Sequence, residues 1–355
     1  MNWPRQKWRL APLLPLAWLY RGLVAARNFL YDKKIFATTR ASAKVVSIGN
    51  LTAGGSGKTP TTAFLANALL QRGFEVAIVA RGYGRTERKD CIVSDGQTVL
   101  AAIHEAGDEP LLLAQQCPGA VVVVSESKTR AAQIAAERFQ PHFILVDDGF
   151  QHRRLRRDLD LVLLAAPMLL QKPWLLPAGP LREPLPNLHR ADKILLTDMR
   201  GLTSTEQQTV LRTLQQFTAA RALAIDFAHD KIRHLFEGKT LASLCERQTS
   251  ALLVSGIALP ERFRQSAEAA GLQVVEHLAY RDHYNFNTND IEHVIAKFQT
   301  LQVDVLLTTA KDAVKLRNFA SLRAWPVYVL ELRLVAEAEA LIGLLNATLR
   351  LQAHD

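Results

Sequence analysis

Three cysteines in 355 residues, Cys91, Cys117 and Cys245, are too few and too scattered for a disulfide framework or a zinc knuckle. A reducing compartment suits such a chain. No apolar run approaches the ~20 residues needed to cross a bilayer. The nearest, Leu10 to Tyr20, is followed by Arg21 and Arg27. No repeat or low-complexity tract is visible. With a mean hydropathy of +0.02 and 22% charged residues, the composition excludes a disordered chain, collagen and a polytopic membrane protein. Acidic residues are nearly missing from positions 1–44, where nine lysines and arginines face Asp32 alone. That segment carries +8 of the chain's +9, so the remainder is nearly neutral. Positive charge confined to one end points to an anionic surface.

The same segment has helical periodicity. From Pro15 on, Leu16, Leu19, Tyr20, Leu23, Leu30 and Tyr31 recur at helical spacing, and Trp3, Trp8 and Trp18 add interfacial aromatics. The pattern reads as an amphipathic helix lying in a membrane surface. The competing readings are a helix packed on the protein and a cleaved signal peptide. A phosphate-binding loop within about 30 residues opposes the latter, because nucleotide chemistry is cytosolic.

Beyond it, apolar β-rich runs at 45–49, 76–80, 120–125, 143–147, 159–164 and 193–197 alternate with helical stretches such as 59–72 and 128–139. This alternation predicts a parallel sheet covered on both faces. Residues 165–190 are proline-rich and read as a long irregular loop. A second α/β unit follows, with strands expected near 251–255, 273–277, 304–309 and 327–332. The expected division is 1–44 (basic amphipathic segment), 45–225, 226–335, and 336–355 (a last helix and tail able to pack on either unit).

Val45 to Thr59 (VVSIGNLTAGGSGKT) joins a strand, a glycine-rich loop and a helix start. Backbone amides over Thr52, Ala53, Gly54, Gly55, Ser56 and Gly57 can close around phosphate oxygens, with the helix dipole behind them. Lys58 reaches the β- and γ-phosphates and the Thr59 hydroxyl suits Mg²⁺, so the loop predicts ATP-type nucleotide binding. One departure stands out: Thr52 occupies the usual first glycine position. Downstream, FILV runs into Asp147 and Asp148, a strand-end acid pair expected beside the metal.

Other motifs exceed what nucleotide binding needs. RGYGR (Arg81, Tyr83, Arg85) directly follows a strand and suits an anionic, sugar-like ligand. AGDEP places Asp108 and Glu109 at a helix start, one able to act as base and the other to serve the metal. DDGFQHRRLRR adds Gln151, His152 and four arginines; LREP contributes Arg182. In RDHYNF, Asp282 is placed to orient His283.

In this order, GNLTAGGSGKTP, RGYGR, AGDEP, VDDGFQHRRLRRD, LREP, RADKILLT and RDHYNF resemble the tetraacyldisaccharide 4′-kinases, the lipid A 4′-kinases of Gram-negative bacteria, over residues of about 13 to 332. The resemblance implies two P-loop-like α/β/α domains joined by a short β-ribbon, with the site in the cleft between them. It implies γ-phosphate transfer from ATP, with Mg²⁺, to the 4′-hydroxyl of a tetraacylated glucosamine disaccharide 1-phosphate. By that match Asp108 is the base, His283 its partner from the other domain, and Arg182 neutralises the transferring phosphoryl group. Thr59, Glu109, Asp147 and Asp148 become the Mg²⁺ candidates, and Arg81, Tyr83, Arg85, Gln151 and His152 the acceptor-side candidates. The implied partners are a membrane glycolipid and the cytoplasmic face of the inner membrane, with no nucleic acid, for a chain acting as a monomer. A membrane-associated switch ATPase fits the loop and helix but leaves RGYGR, GDEP and DHY unexplained. A soluble sugar or nucleoside kinase leaves the basic helix without a purpose.

Overall fold

The computed structural model describes residues 10–171, 173–240, 249–335 and 338–349. Trp3, Trp8, the first three cations and the tail beyond 349 lie outside these. Among the described residues the chain forms two sheets. The first has eight strands: β1 (Lys44–Asn50), β2 (Val76–Ala80), β3 (Cys91–Asp95), β4 (Val121–Val124), β5 (Phe143–Asp147), β6 (Leu159–Ala165), β7 (Lys193–Thr197) and β8 (Ala222–Ala224), in the order β3-β4-β2-β5-β1-β6-β7-β8. The second contains β9 (Asp226–His234), β10 (Ser250–Ser255), β11 (Gln273–Ala279), β12 (Val305–Thr309) and β13 (Val327–Val335), in the order β11-β10-β12-β13-β9.

Parallel pairing dominates because the central strands are apolar throughout. Every residue of β2, β4 and β5 is buried, so both faces need helical cover. The antiparallel members are β3, on one edge of the first sheet, and β9, on one edge of the second. Neither was foreseen. Both carry mixed polar sequences, CIVSD and DFAHDKIRH, without a clean apolar run.

Among the described residues the α-helices longer than one turn are α1 (Leu14–Asp32), α2 (Lys58–Leu70), α3 (Asp108–Gln116), α4 (Lys128–Phe139), α5 (Ala166–Leu170), α6 (Ser204–Gln215), α7 (Pro260–Ala269), α8 (Thr288–Leu301), α9 (Ala310–Leu316) and α10 (Ala338–Leu349). The proline-rich stretch is less irregular than expected, since it contains α5 and a 3-10 turn at Leu185–Arg190. Pro167 is tolerated in the first turn of α5, where a backbone N–H has no intrahelical partner anyway.

Two features tie the sheets together. Antiparallel β9 and β13 form a ribbon whose ends enter different cores. Leu334, with Phe227 packed against it, joins the first sheet's core, while Ile232 and Leu330 join that of β10 and β12. Helix α10 then returns to the first core, where Leu341 and Leu345 are buried. Of the two placements open to the last helix, the fold takes the first unit.

Helix α1 packs on the protein along one face and leaves a second, apolar face exposed. Ala17, Val24 and Asn28 are buried against the protein, with Tyr20, Arg27 and Tyr31 half-buried on the same stripe. Leu16, Trp18, Leu19, Leu23 and Phe29 remain exposed. The apolar stripe seen in the sequence therefore divides: its tyrosines face the protein and its leucines at 16, 19 and 23 face outward. No helix among the described residues is long and apolar enough to cross a membrane.

Truncating Leu341 leaves a cavity in the first core. Leu341→Ala is expected to cost ~2–5 kcal/mol in denaturant unfolding; a loss below about 1 kcal/mol contradicts the docking of α10.

Candidate active site

The glycine-rich loop links β1 to α2. Gly57 has φ +83° and caps α2, and a Cβ there would overlap the Phe227 ring. Ribbon packing thus adds a second demand for glycine at this position. Buried Ser56 accepts from Asn50 Nδ2 at 2.8 Å, and Asn50 also donates to Thr52 Oγ1 at 3.2 Å. The Ala53 N–H donates to Pro180 C=O at 2.8 Å, and Thr52 bridges Leu181. The proline-rich segment therefore braces the loop entrance, while Ala53, Gly54 and Gly55 stay exposed. Thr59 is half-buried in the first turn of α2.

Asp147 ends β5, and Asp148 follows it at φ +53°. Lys58 Nζ lies 3.6 Å from Asp148, and Arg182 NH1 donates to both Asp148 oxygens at 2.9 Å. Buried Lys128 donates to the Asp148 carbonyl. Burial would raise Asp148, but Lys128, Lys58 and Arg182 outweigh it and hold the carboxyl below its usual range. Asp147 behaves oppositely. It accepts a 3.2 Å hydrogen bond from the Thr62 hydroxyl, and burial, reinforced by Glu109, pushes it up to about 7. A buried carboxylate beside a second acid, within the field of Lys58, favours added positive charge. With Thr59 in the first turn of α2, this all-oxygen donor set fits Mg²⁺. Among the described residues, the one cluster of three metal-binding side chains already gathered is Glu87, His104 and Glu105, which is largely exposed and separate from the loop.

Asp108 lies in the first turn of α3, almost fully buried. Its carboxylate is 2.9 and 3.1 Å from His283 Nδ1 and 3.0 Å from Lys315 Nζ. On the other side of the ring, His283 Nε2 lies 3.0 Å from Lys311 Nζ, which also reaches Asp282 at 3.3 Å and Glu109 at 3.4 Å. An ammonium only donates, so Nε2 accepts and Nδ1–H points to Asp108. Burial raises Asp108, but the His283 hydrogen bond and the Lys311 and Lys315 charges together hold it below its usual range. The carboxylate that orients His283 is thus Asp108. Asp282, expected in that role from its adjacency, instead accepts from the His283 backbone N–H and pairs with Lys311.

The acceptor-side candidates are dispersed. The exposed Tyr83 ring tilts onto His283, with centroids 4.6 Å apart. Gly107, at φ +83°, lets the backbone of the Tyr83 loop lie against the start of α3. Arg81 is exposed, whereas Arg85 turns back to donate to the Lys89 and Arg88 carbonyls within its own loop. Gln151 donates to Asn50 C=O at 2.8 Å. His152 lies 3.2 Å from the Thr129 hydroxyl, and burial with nearby cations pushes it down to about 4, so it is neutral at pH 7. Of the four arginines after it, Arg153 bonds α1 and Arg157 pairs with Asp160. A cavity of about 240 Å³ opens beside the pair, lined by Tyr83, Ile103, Asp108, His283, Phe286 and Lys315 among others.

Sequence reasoning missed Lys311, Lys315, Lys128, Asn50 and Phe227. A usable signal existed for the first two. AKDAVK directly follows β12 and sets its lysines four apart, on one face of α9.

Residues 9–350 match the family described as Tetraacyldisaccharide-1-P 4′-kinase, LpxK. The chain is 36% identical to a Tetraacyldisaccharide 4′-kinase of Chlorobium limicola over 353 residues, covering 95% of this chain and 97% of that one. It is 38% identical to the enzyme of that name from Anaeromyxobacter dehalogenans strain 2CP-1, over 86% of this chain and 81% of that one. Among solved structures it is similar to LpxK from Aquifex aeolicus in complex with ATP, with a TM-score of 0.74, 32% identity, and coverage of 96% and 99%.

The raised Asp147 has a consequence for stability. Its folded value, about 7, lies above the unfolded value near 4. As pH rises between the two, the unfolded chain releases a proton that the fold retains, so stability falls across that window. In Mg²⁺-free buffer, Asp147→Asn should abolish this loss and gain about 2–3 kcal/mol relative to wild type between pH 5 and pH 8. A difference that does not change with pH in chemical unfolding contradicts the assignment.

Proposed function

The chain belongs to the tetraacyldisaccharide-1-P 4′-kinase family, and from that premise we propose how its residues perform the reaction. It is a kinase of lipid A biosynthesis. It transfers the γ-phosphate of ATP to the 4′-hydroxyl of a tetraacyl glucosamine disaccharide 1-phosphate. On this reading residues 45–225 form a P-loop kinase domain, 226–335 a second P-loop-like α/β domain, and 336–355 a closing helix and tail.

Phosphoryl transfer depends on positioning and charge neutralisation. The amides of 52–57 and the Lys58 ammonium hold the β- and γ-phosphates. Thr59, Asp147, Asp148 and Glu109 are the residues that would hold Mg²⁺, which supplies charge neutralisation to the phosphate oxygens. Arg182, already on Asp148, is placed to turn onto the transferring group. Asp108 takes the 4′-hydroxyl proton, and His283 keeps its carboxylate oriented and ionised, since Nδ1–H donates to it. The acceptor sugar lies in the cavity beside Tyr83 and His283. The observation that carries this assignment is the Asp108–His283 pair itself, a buried acid from α3 met at 2.9 Å by an imidazole carried by the second sheet's unit.

On this reading α1 rests on the cytoplasmic face of the inner membrane, a placement supported by the exposed Leu16, Trp18, Leu19 and Leu23, with Arg21 and the following Lys33 and Lys34. The chain works there as a monomer, without nucleic acid. A switch ATPase offers no role for the Tyr83–His283–Asp108 corner.

Two experiments test this. With γ-labelled ATP, Mg²⁺ and the disaccharide 1-phosphate lipid in detergent, label should move to the lipid, and Lys58→Ala should reduce transfer at least ~10³-fold while remaining folded. Label released only as inorganic phosphate, or near-normal turnover by the variant, rejects the assignment. On anionic vesicles, replacing Leu19 and Leu23 together with Ser should reduce co-sedimentation, and raising the salt should reduce it further. Full pelleting of this variant at high salt places the membrane contact elsewhere.

A further inference from the structure

We propose that Glu183 is a positioning residue for phosphoryl transfer. With Tyr20 and Asn28 of α1 it fixes the peptide that carries Arg182, so the surface helix is a working part of the active site as well as an anchor. This rests on the phosphotransfer reading above.

Arg182 is a long, rotamer-rich side chain that must place one guanidinium near a transferring phosphate. Its backbone is held from two sides. The Arg182 N–H donates to Leu51 C=O at 2.6 Å, at the entrance to the phosphate loop, and its C=O accepts from the Tyr20 hydroxyl at 2.9 Å. The next residue, Glu183, is 1% exposed. Its Oε2 accepts from Asn28 Nδ2 at 3.0 Å, Asn187 Nδ2 at 2.6 Å and Arg190 NH2 at 2.6 Å. Arg190 in turn stacks on Phe150, at 4.3 Å, in the turn just after Asp148. One carboxylate thus joins α1, the 3-10 turn and the metal-side loop.

Such a hub is costly to bury, and well-packed apolar residues often stabilise as much or more. What a carboxylate with three directional donors provides is geometry. These contacts lie on the inward stripe of α1, whereas Leu16, Leu19 and Leu23 lie on the outward one, so anchoring and positioning use different faces of the same helix.

The test uses the full chain with acceptor solubilised in detergent micelles, where membrane docking is not required. Tyr20→Phe, Asn28→Leu and Glu183→Gln should lower kcat by ~10–100-fold, with KM for Mg-ATP within about twofold; melting should stay close to wild type for Tyr20→Phe and fall for Glu183→Gln, which leaves buried Arg190 without its acid. In an Arg182→Ala background the same substitutions should change kcat by less than about twofold, because groups acting through one another are not additive. Should Glu183→Gln fail to fold, Tyr20→Phe, which removes a single hydroxyl, keeps the proposal falsifiable. Wild-type kcat in micelles, with loss only on vesicles, would leave α1 an anchor alone and overturn the proposal. So would losses that multiply with that of Arg182→Ala. An Arg182→Ala enzyme with unimpaired kcat would instead remove the role given to Arg182, and the proposal with it.

Discussion

A carboxylate buried as deeply as Asp108 is tolerated only if other groups meet its charge. Here those groups come from the other side of the molecule. Lys315 and Lys311 sit on α9, after β12, and His283 sits in the loop after β11. If the two units separated, Asp108 would lose its imidazole and its ion pair, His283 and Lys315 would lose their acid, and Lys311 would keep only Asp282. Charge compensation therefore favours the arrangement seen, in which the His283 ring lies against Tyr83.

The same logic explains how the nucleotide loop is placed. Its glycines would allow many conformations, and the fold removes that freedom from three directions. Asn50 ties Ser56 and Thr52 to the end of β1, the Pro180–Arg182 segment pins the entrance, and Phe227 of the ribbon fills the space over Gly57. The ribbon belongs to both cores and α10 returns to the first, so the two sheets share packed interiors. On our reading, α1 adds an outward face that meets lipid.

Much of this was legible because the decisive segments are local. A strand, a glycine-rich turn and a helix start are contiguous in VVSIGNLTAGGSGKT, and strand-end acids announce themselves as FILVDD. Central parallel strands are apolar runs, so most could be placed from the sequence. What could not be read depends on distant pairing. The edge strands β3 and β9 take their identity from a neighbour, and their polar sequences carry no independent signal. Asp282 is adjacent to His283 in sequence, yet the carboxylate on the ring is 175 positions away. The four arginines of the HRRLRR run carry no assignment from sequence; two of them, Arg153 and Arg157, secure α1 and Asp160. Lys311 and Lys315 went unremarked because a lysine pair on a short helix means little until α9 is seen against α3.

The central claim is that Asp108 and His283 act as one proton-accepting unit assembled from two halves of the chain. A double-mutant cycle on kcat for lipid phosphorylation, at saturating Mg-ATP, tests it most directly. Asp108→Ala and His283→Ala should each lower kcat by ~10²–10⁴-fold, and the double variant should be scarcely slower than the slower single one. Losses that multiply, or an Asp108→Ala enzyme with intact kcat and weakened Mg-ATP binding, would contradict it. The second outcome would assign Asp108 to the metal and leave the proton acceptor to be found elsewhere.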